Sequence, residues 1–450
     1  MSVSGTRLMT EGVIWRQIFS FSVPLIIGNV FQQFYNIVDS LVIGNYLGGD
    51  ALAAVGAGNV MINIMIGLFS GLSAGAGVLI ARFFGSRDEW GIRESVHTAA
   101  AFTICAGIAI TAFGISISNE ILEITNTPPE VFEDARTFLL LYFSGIIPLL
   151  VYNMGAAILR AVGDSRTPLY FLALASVLNA IFVYTAVAVL GMGIRSVPIA
   201  TVMAQTIAAV LVVWKLIKTT EVYRLDIWRI RFNPRILWRT LRIGIPAGLQ
   251  SALMGISNLV VQSRVNGYGT HAMAAWNIYG RIDSLMVMPI VSFGLAMMTF
   301  TGQNIGAGLR DRVYKGTVSG LVMSCSLAVT ISVIICASCS WLLSMFTGDP
   351  EILYYGGRMI FGLAPFYFLV AVMYMLIGVI NGAGYSLATM LIMLANLFAV
   401  RIAVLYFEAM IVSDIGVVFH AYIASWAMCS LGLWLYYKRG GWRRSLDQYI

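Results

Sequence analysis

A single acid stands in an apolar stretch early in the chain: YNIVDSLVIGN, residues 35–45, where Asp39 is flanked by Ile37, Val38, Leu41, Val42 and Ile43. The polar residues before it are spaced to join it. At about 100° of turn per residue, Asn29, Gln32, Asn36 and Asp39 share an arc of about 80° on one helix face. An ionised aspartate costs at least about 3 kcal/mol at the centre of a membrane span, so this stripe has to face water, a cation or other polar groups. Two kinds of chemistry suit it. Asp39 is either a packing carboxylate satisfied by nearby amides and hydroxyls, or a group that takes up and releases a proton or cation. The same half of the chain offers candidate partners in Asn153, Asn179, Thr201 and Gln205, the last two four apart and on one face. Gln32 and Tyr35 of the stripe's own helix, with Gln205, are candidates for substrate contact, and Asn36 joins Asp39 as a coupling candidate.

A second acid, Asp283, lies in YGRIDSLMVMP. Arg281 is roughly 200° away around the helix, so the two do not form a natural pair, and Asp283 is a candidate either for a cationic substrate or for a hydrogen-bond network. Arg401 and Glu408 are seven apart on one face, about 10 Å distant, and read as structural, joining two bundles near the outer surface. No HExxH, no nucleophile motif and no GxxxxGK[ST] occurs, and the histidines (His97, His271, His420) are scattered. The chain is therefore read as neither an enzyme nor ATP-driven, and no cofactor is expected.

These side chains sit in a chain that is 59% hydrophobic and 11% charged, with a mean hydropathy of +0.84. Soluble proteins are roughly a quarter charged, so the bilayer is the solvent that fits. The expected fold is an all-α polytopic membrane protein of twelve transmembrane helices. The spans fall near 15–44, 51–81, 96–118, 137–159, 168–191, 196–217, 240–263, 272–301, 316–346, 359–380, 387–407 and 415–437, each long enough for about 30 Å of hydrocarbon. The N-terminus lacks the layout of a cleavable signal, so the first apolar segment is expected to remain as a span. Pro24 interrupts the backbone bonding of that span and marks a hinge. The five cysteines lie in apolar runs and read as packing residues.

Lysine and arginine set the direction. With both termini in the cytoplasm, 22 of them fall on the inner side and four (Arg136, Arg195, Arg264, Arg358) on the outer, which is the positive-inside bias of a multi-pass protein of the cell inner (cytoplasmic) membrane. The net charge of +7 is spread over short loops, which suits anionic lipid headgroups and not nucleic acid. Residues 219–239 place Trp228 and Trp238 among arginines and read as a cytoplasmic interfacial linker. It separates an N-terminal six-helix lobe, 1–218, from a C-terminal one, 240–450.

The lobes repeat. At an offset of about 221 residues, Pro24 meets Pro246, Tyr46 meets Tyr268, ARFFGSRD (81–88) faces GQNIGAGLRD (302–311), and RAVGDSRTP (160–168) faces NGAGYS (381–386). Six spans separate the copies, so both have one orientation. The result is two six-helix bundles related by a pseudo-two-fold along the membrane normal, as in transporters. The copies differ where it matters: the counterparts of Asn29, Gln32, Asn36 and Asp39 are Ser251, Met254, Asn258 and Val261. One acid in one lobe points to one coupling site.

Taken in order, GDSRTP (163–168), GQNIGAG (302–308), RIAVLY (401–406) and the pattern around Pro24 and Asp39 resemble the multidrug and toxic compound extrusion (MATE) transporters, in the branch with an aspartate in the first span. The resemblance covers nearly the whole chain. It implies a large central cavity and export of drug-like molecules in exchange for H⁺ or Na⁺. It also raises Asn179 and Thr201, which fit that branch's ion-site pattern. The branch often carries a second acid one turn after the asparagine, where this chain has Val183. With one acid, protonation is the simpler chemistry, and Asp39 with Asn179 would be the metal ligands only under Na⁺ coupling. The methionines of the eighth span, Met286, Met288, Met297 and Met298, suit a promiscuous cavity wall. The expectation is a monomer exporting cationic or amphipathic organic molecules. The alternative is a flippase for lipid-linked oligosaccharides of the same superfamily, for which Arg281 is the one evident cavity cation.

Overall fold

A computed structural model describes residues 8–125, 127–410 and 414–442; Arg7, Arg443 and Arg444 of the inner-side set lie outside the described residues. Among the described residues the chain is helical, with no strand. The helices are α1 (Ile14–Tyr46), α2 (Gly49–Gly85), α3 (Glu89–Ser116), α4 (Ser118–Ile124), α5 (Pro129–Ser144), α6 (Ile146–Ala161), α7 (Arg166–Tyr184) and α8 (Ser196–Lys218). They continue as α9 (Pro234–Asn266), α10 (Thr270–Gly306), α11 (Arg310–Ala337), α12 (Cys339–Ser344), α13 (Pro350–Leu363), α14 (Tyr367–Gly382), α15 (Ser386–Met393), α16 (Arg401–Ala409) and α17 (Gly416–Arg439). Single π-helical turns follow α7 (Thr185–Val189) and α15 (Leu394–Val400).

Eleven of the resulting segments are long and apolar enough to cross a membrane, and α5 with α6, bent by 49°, makes the twelfth. Gly145 and Pro148 account for that bend: the proline supplies no N–H for the turn before it. The helix starts differ from the sequence estimate where polar caps intervene. Helix α3 begins at Glu89 because the Asp88 side chain accepts from the Gly91 amide at 2.9 Å. Helix α9 begins at Pro234, a residue suited to the first helical position, behind an Asn233 side chain that accepts from the Arg235 and Ile236 amides. Residues 234–239 of the expected linker are therefore helical.

The chain forms two compact units. One runs from Pro24 to Gly248; the other joins Met9–Val23 to the chain from Leu249 onward. Each of α1 and α9 thus begins in one unit and continues in the other, with the divisions at Pro24 and two residues after Pro246. In the first unit, α2 packs on α5 and α6, and α8 on α6 and α7, around Phe69, Phe138, Phe143 and Leu150. In the second, α10 packs on α11, α13 and α14, and α17 on α14 and α16, around Tyr367, Leu376, Ile380 and Leu433. Met286 and Met297 are 1% and 0% exposed, and Met286 belongs to this second core.

The repeat is written into the backbone. Left-handed residues recur 221 apart: Gly163 (φ 91°) with Gly384 (φ 74°), and Arg87 (φ 57°) with Gly308 (φ 72°). Both pairs close a helix with a left-handed residue, and at the second the first copy holds an arginine in a conformation glycine adopts freely. Two of the motifs that carried the resemblance have structural roles. Asp164 of GDSRTP caps α7, accepting from the Thr167 amide at 3.0 Å and its hydroxyl at 2.6 Å. Gln303 and Asn304 of GQNIGAG are fully buried and hold the start of the chain: Gln303 Oε1 accepts from the Met9 amide at 2.8 Å, and Asn304 Nδ2 donates to the Met9 carbonyl at 3.1 Å.

Candidate functional site

Helices α1 and α7 run side by side in the same direction. A side chain at Gly28 would meet Leu169 and Leu172, each at 3.6 Å; further along, Asp39 meets Asn179; at the far end the Tyr46 and Tyr184 rings meet edge-on at 6.3 Å. Asp39 lies seven residues from the end of α1, about 10 Å by helical rise. Its carboxylate receives both bonds it has from one amide: Asn179 Nδ2 donates to Oδ1 at 2.9 Å and Oδ2 at 3.0 Å. Asn179 is 3% exposed, and its own Oδ1 has no protein partner. The Ser176 hydroxyl, one turn earlier on α7, and Gln205 Oε1 on α8 are likewise buried without one.

The remaining stripe is arranged differently. Asn36, exposed, donates to Gln33 at 3.2 Å; Gln32 is exposed and Tyr35 half-buried. Asn153 donates to the Leu149 carbonyl and the Thr201 hydroxyl to the Val197 carbonyl, each within its own helix. Of the residues read as a coupling set, the structure joins Asp39 and Asn179, while Asn153 and Thr201 are turned back on their own backbones. Ser176 was missed, although its position three before Asn179 puts it on the same face.

An amide opposite a carboxyl group can serve both of its protonation states. The Nδ2 hydrogens donate to the ionised form, and after a half-turn of the side chain Oδ1 accepts from the protonated form. A bound cation would instead draw on the carboxylate and the unpartnered oxygens of Asn179 and Ser176. No cluster of three or more His, Cys, Asp or Glu suited to a metal occurs among the described residues.

The second unit lacks the pair on both sides. The repeat shifts by one residue after its first helix, from 222 at Pro24 and Pro246 to 221 at Gly163 and Gly384; so aligned, Val261 (0% exposed) stands for Asp39 and Val400 for Asn179. It has a polar nest of its own at other positions. Asp283 is bonded by the hydroxyls of Tyr279, at 3.4 Å, and Tyr367, which bond each other at 2.8 Å. Nearby Arg401, 4% exposed, donates to Ser425 at 3.1 Å and Ser257 at 3.0 Å and lies 4.1 Å above the Tyr422 ring. Trp276 and Trp426 bridge the two groups, with ring contacts to Tyr279, Tyr367 and Tyr422 of 5.3–5.9 Å. Ser257 also donates to the Leu397 carbonyl, in the π-turn that leads into Arg401. The side-chain hydrogen bonds of Arg401 to Ser425 and Ser257 thus lie within its own unit. Glu408 pairs with His420. Arg358, on α13, holds Asp414, between α16 and α17, bidentately at 2.8 and 2.6 Å and keeps its carboxyl low, at about 2.

Comparison with known proteins follows the same division. The family model described as MatE matches twice, over residues 24–185 and 246–407. The "Probable multidrug resistance protein YpnP" of Bacillus subtilis is 29% identical over 96% of this chain and 97% of its own length. The "Probable multidrug resistance protein NorM" of Thermotoga maritima is 24% identical over 87% and 85%. A solved outward-facing multidrug resistance MATE family transporter of the MOP superfamily superposes over 100% of this chain and 99% of its own, with a TM-score of 0.91 at 20% identity.

Proposed function

Because the chain belongs to the MatE family, we propose that it is a multi-pass exporter of drug-like organic molecules, driven by the inward passage of a proton or sodium ion through the first unit. The observation that carries this reading is the Asp39–Asn179 pair: one ionisable group, held by one amide across two helices, with valines at both counterpart positions. The multidrug names of relatives that span nearly the same length support the substrate class. The lysine and arginine distribution supports the inner membrane, with both termini in the cytoplasm.

In this reading the cycle alternates between Asp39 ionised, facing water or holding a cation, and Asp39 neutral in a drier first unit. Asn179 follows the change by turning its amide. Gln32, Tyr35 and Gln205 face the substrate; Asn36, Thr201 and Asn153 become ligands only if their helices shift. Proton coupling is the simpler form, since one carboxylate suffices for it. Uptake of a fluorescent organic cation into inside-out vesicles tests the function, with an acidic lumen and a sodium-loaded lumen imposed separately. Uptake driven by neither gradient overturns it.

Two substitutions separate the other roles. Asp283 organises its tyrosine nest and reaches substrate only indirectly, so Asp283→Asn is expected to shift apparent affinity or substrate range while gradient-driven uptake persists; KM and maximal rate for several dyes measure this. Pro24 stands where α1 passes from one unit to the other. Pro24→Ala restores a backbone bond there and is expected to slow turnover several-fold with normal insertion, as for hinge residues generally. Wild-type turnover in the well-folded variant removes the hinge role.

A further inference from the structure

The connection between α8 and α9 carries an exposed apolar surface that lies outside the Asp39–Asn179 site. Between Lys218 and Pro234 the backbone makes one 3₁₀ turn, Ile227–Arg229, at whose tip Trp228 is 97% and Ile227 55% exposed. Trp214, Phe232 and Trp238 on the flanking segments are 54%, 45% and 68% exposed. The turn is not loose. The Asp226 side chain accepts from the Trp228 amide at 3.1 Å and pairs with Arg229 at 3.2 Å. The Asp226 amide in turn donates to His97 Nε2 on α3 at 3.2 Å, while His97 Nδ1 lies 2.7 Å from the Arg93 carbonyl. Past the tip, Arg231 and Asn233 both bond Glu94, and the Asn233 amide donates to the Thr98 hydroxyl. A polar seat on α3 thus fixes a loop whose largest apolar side chain is aimed away from the protein.

Charge decides what that side chain meets. Residues 214–242 hold eight lysines and arginines against two acids, Glu221 and Asp226. The basic groups alternate with the aromatic ones, as at Lys218, whose ammonium lies 5.8 Å from the Trp214 ring. Tryptophan prefers the headgroup layer, where an apolar body and an N–H are both served. Basic residues at that depth are attracted by anionic phosphates over about a Debye length. The loop lies at the ends of two spanning helices, within reach of that layer.

We propose that the α8–α9 connection is a docking surface for anionic lipid headgroups, inserting Trp228 and Ile227 into the membrane interface while Arg229, Arg235 and Arg239 meet the phosphates. The seat on α3 makes this contact part of the first unit, so lipid charge acts on that unit directly.

The test uses the full-length chain. Position 228 is replaced by cysteine in a form whose five native cysteines are exchanged, and is then given an environment-sensitive fluorophore. The site is almost fully exposed, so the label disturbs no packing; a label at 227 serves as a second reporter. The protein is reconstituted in phosphatidylcholine vesicles with and without phosphatidylglycerol. The expected result is blue-shifted emission, quenched by lipids spin-labelled near the headgroup, stronger with phosphatidylglycerol and weakened by salt and by Arg235→Gln with Arg239→Gln. Water-like emission quenched by iodide in both vesicles overturns the proposal and leaves the surface to a soluble acidic partner. Equal insertion in both vesicles overturns the anionic preference. Neither readout depends on whether the protein transports.

Discussion

Asp39→Asn is expected to insert and fold as the wild type does and to lose gradient-driven export. The substitution changes one oxygen for an amide nitrogen. It keeps the shape of the side chain and an oxygen that can still accept from Asn179, which now donates to the carboxylate at 2.9 and 3.0 Å. The packing of α1 on α7 also rests on Gly28 and Tyr46, which the substitution leaves alone. What disappears is the charge. A membrane potential of about 100 mV acts on one elementary charge with about 2.3 kcal/mol, a concentration factor of about 50. An asparagine presents no charge that changes during the cycle, so accumulation should fall from tens-fold toward unity while dye binding stays within a few-fold. Uptake into inside-out vesicles, with dye binding measured on the same preparations, reads both numbers. Asp283→Asn is the paired control, since its carboxyl group is likewise inside an apolar helix but bonded by tyrosines. Full gradient-driven uptake by Asp39→Asn together with its loss in Asp283→Asn would put the coupling group in the second unit.

The sequence carried the Asp39 stripe well because helical rotation alone gathers Asn29, Gln32, Asn36 and Asp39 on one face. It also carried Asn179 as a candidate, but not the bond between them, because 140 residues separate the two and nothing local specifies which polar residue on another span comes opposite. Thr201 and Asn153 had the right residue types, yet each satisfies itself one turn back in its own helix, an option open to any hydroxyl or amide there. The nest around Asp283 was illegible for a related reason. Tyr367 is 84 residues away, and the Ser257 that steadies Arg401 is 144 residues away. The spans were legible by length and composition, while their starts were not, since Asp88 and Asn233 begin helices by capping inside stretches that look like loop. The GQNIGAG motif entered as a marker of the repeat and of the family resemblance, with no role assigned to it. Its burial and its hold on Met9 make it a tether for the chain's start.

The glycines of SGLSAGAG, residues 70–77, bring two helices into measurably close contact. On α2, Gly71 and Gly75 lie one turn apart; on α9, so do Gly244 and Gly248, all four within the first unit. A Cβ at Gly71 would fall 2.0 Å from the Gly248 amide nitrogen and 2.2 Å from its Cα. One at Gly75 would fall 2.6 Å from the Thr240 carbonyl, and one at Gly248 2.6 Å from the Leu68 carbonyl. The obstacles are backbone atoms, which cannot rotate aside as a side-chain tip can, so a methyl group here must separate two helices. Small residues on both partners are what permits such an approach in lipid, where dispersion and not the hydrophobic effect holds helices together. Overpacking a tight site commonly costs about 1–3 kcal/mol, and a backbone-to-backbone crossing belongs at the upper end. Gly71→Ala is therefore expected to lower the melting temperature in detergent by many degrees and to reduce the folded yield, and Gly71→Leu to abolish it. Gly56 is the internal control. It lies on the same helix with nothing within 4 Å of its Cβ position, and alanine is the better helix former by about 1 kcal/mol. Gly56→Ala should leave the melting temperature unchanged or raise it. Equal behaviour of Gly56→Ala and Gly71→Ala would mean that α2 and α9 do not cross this closely.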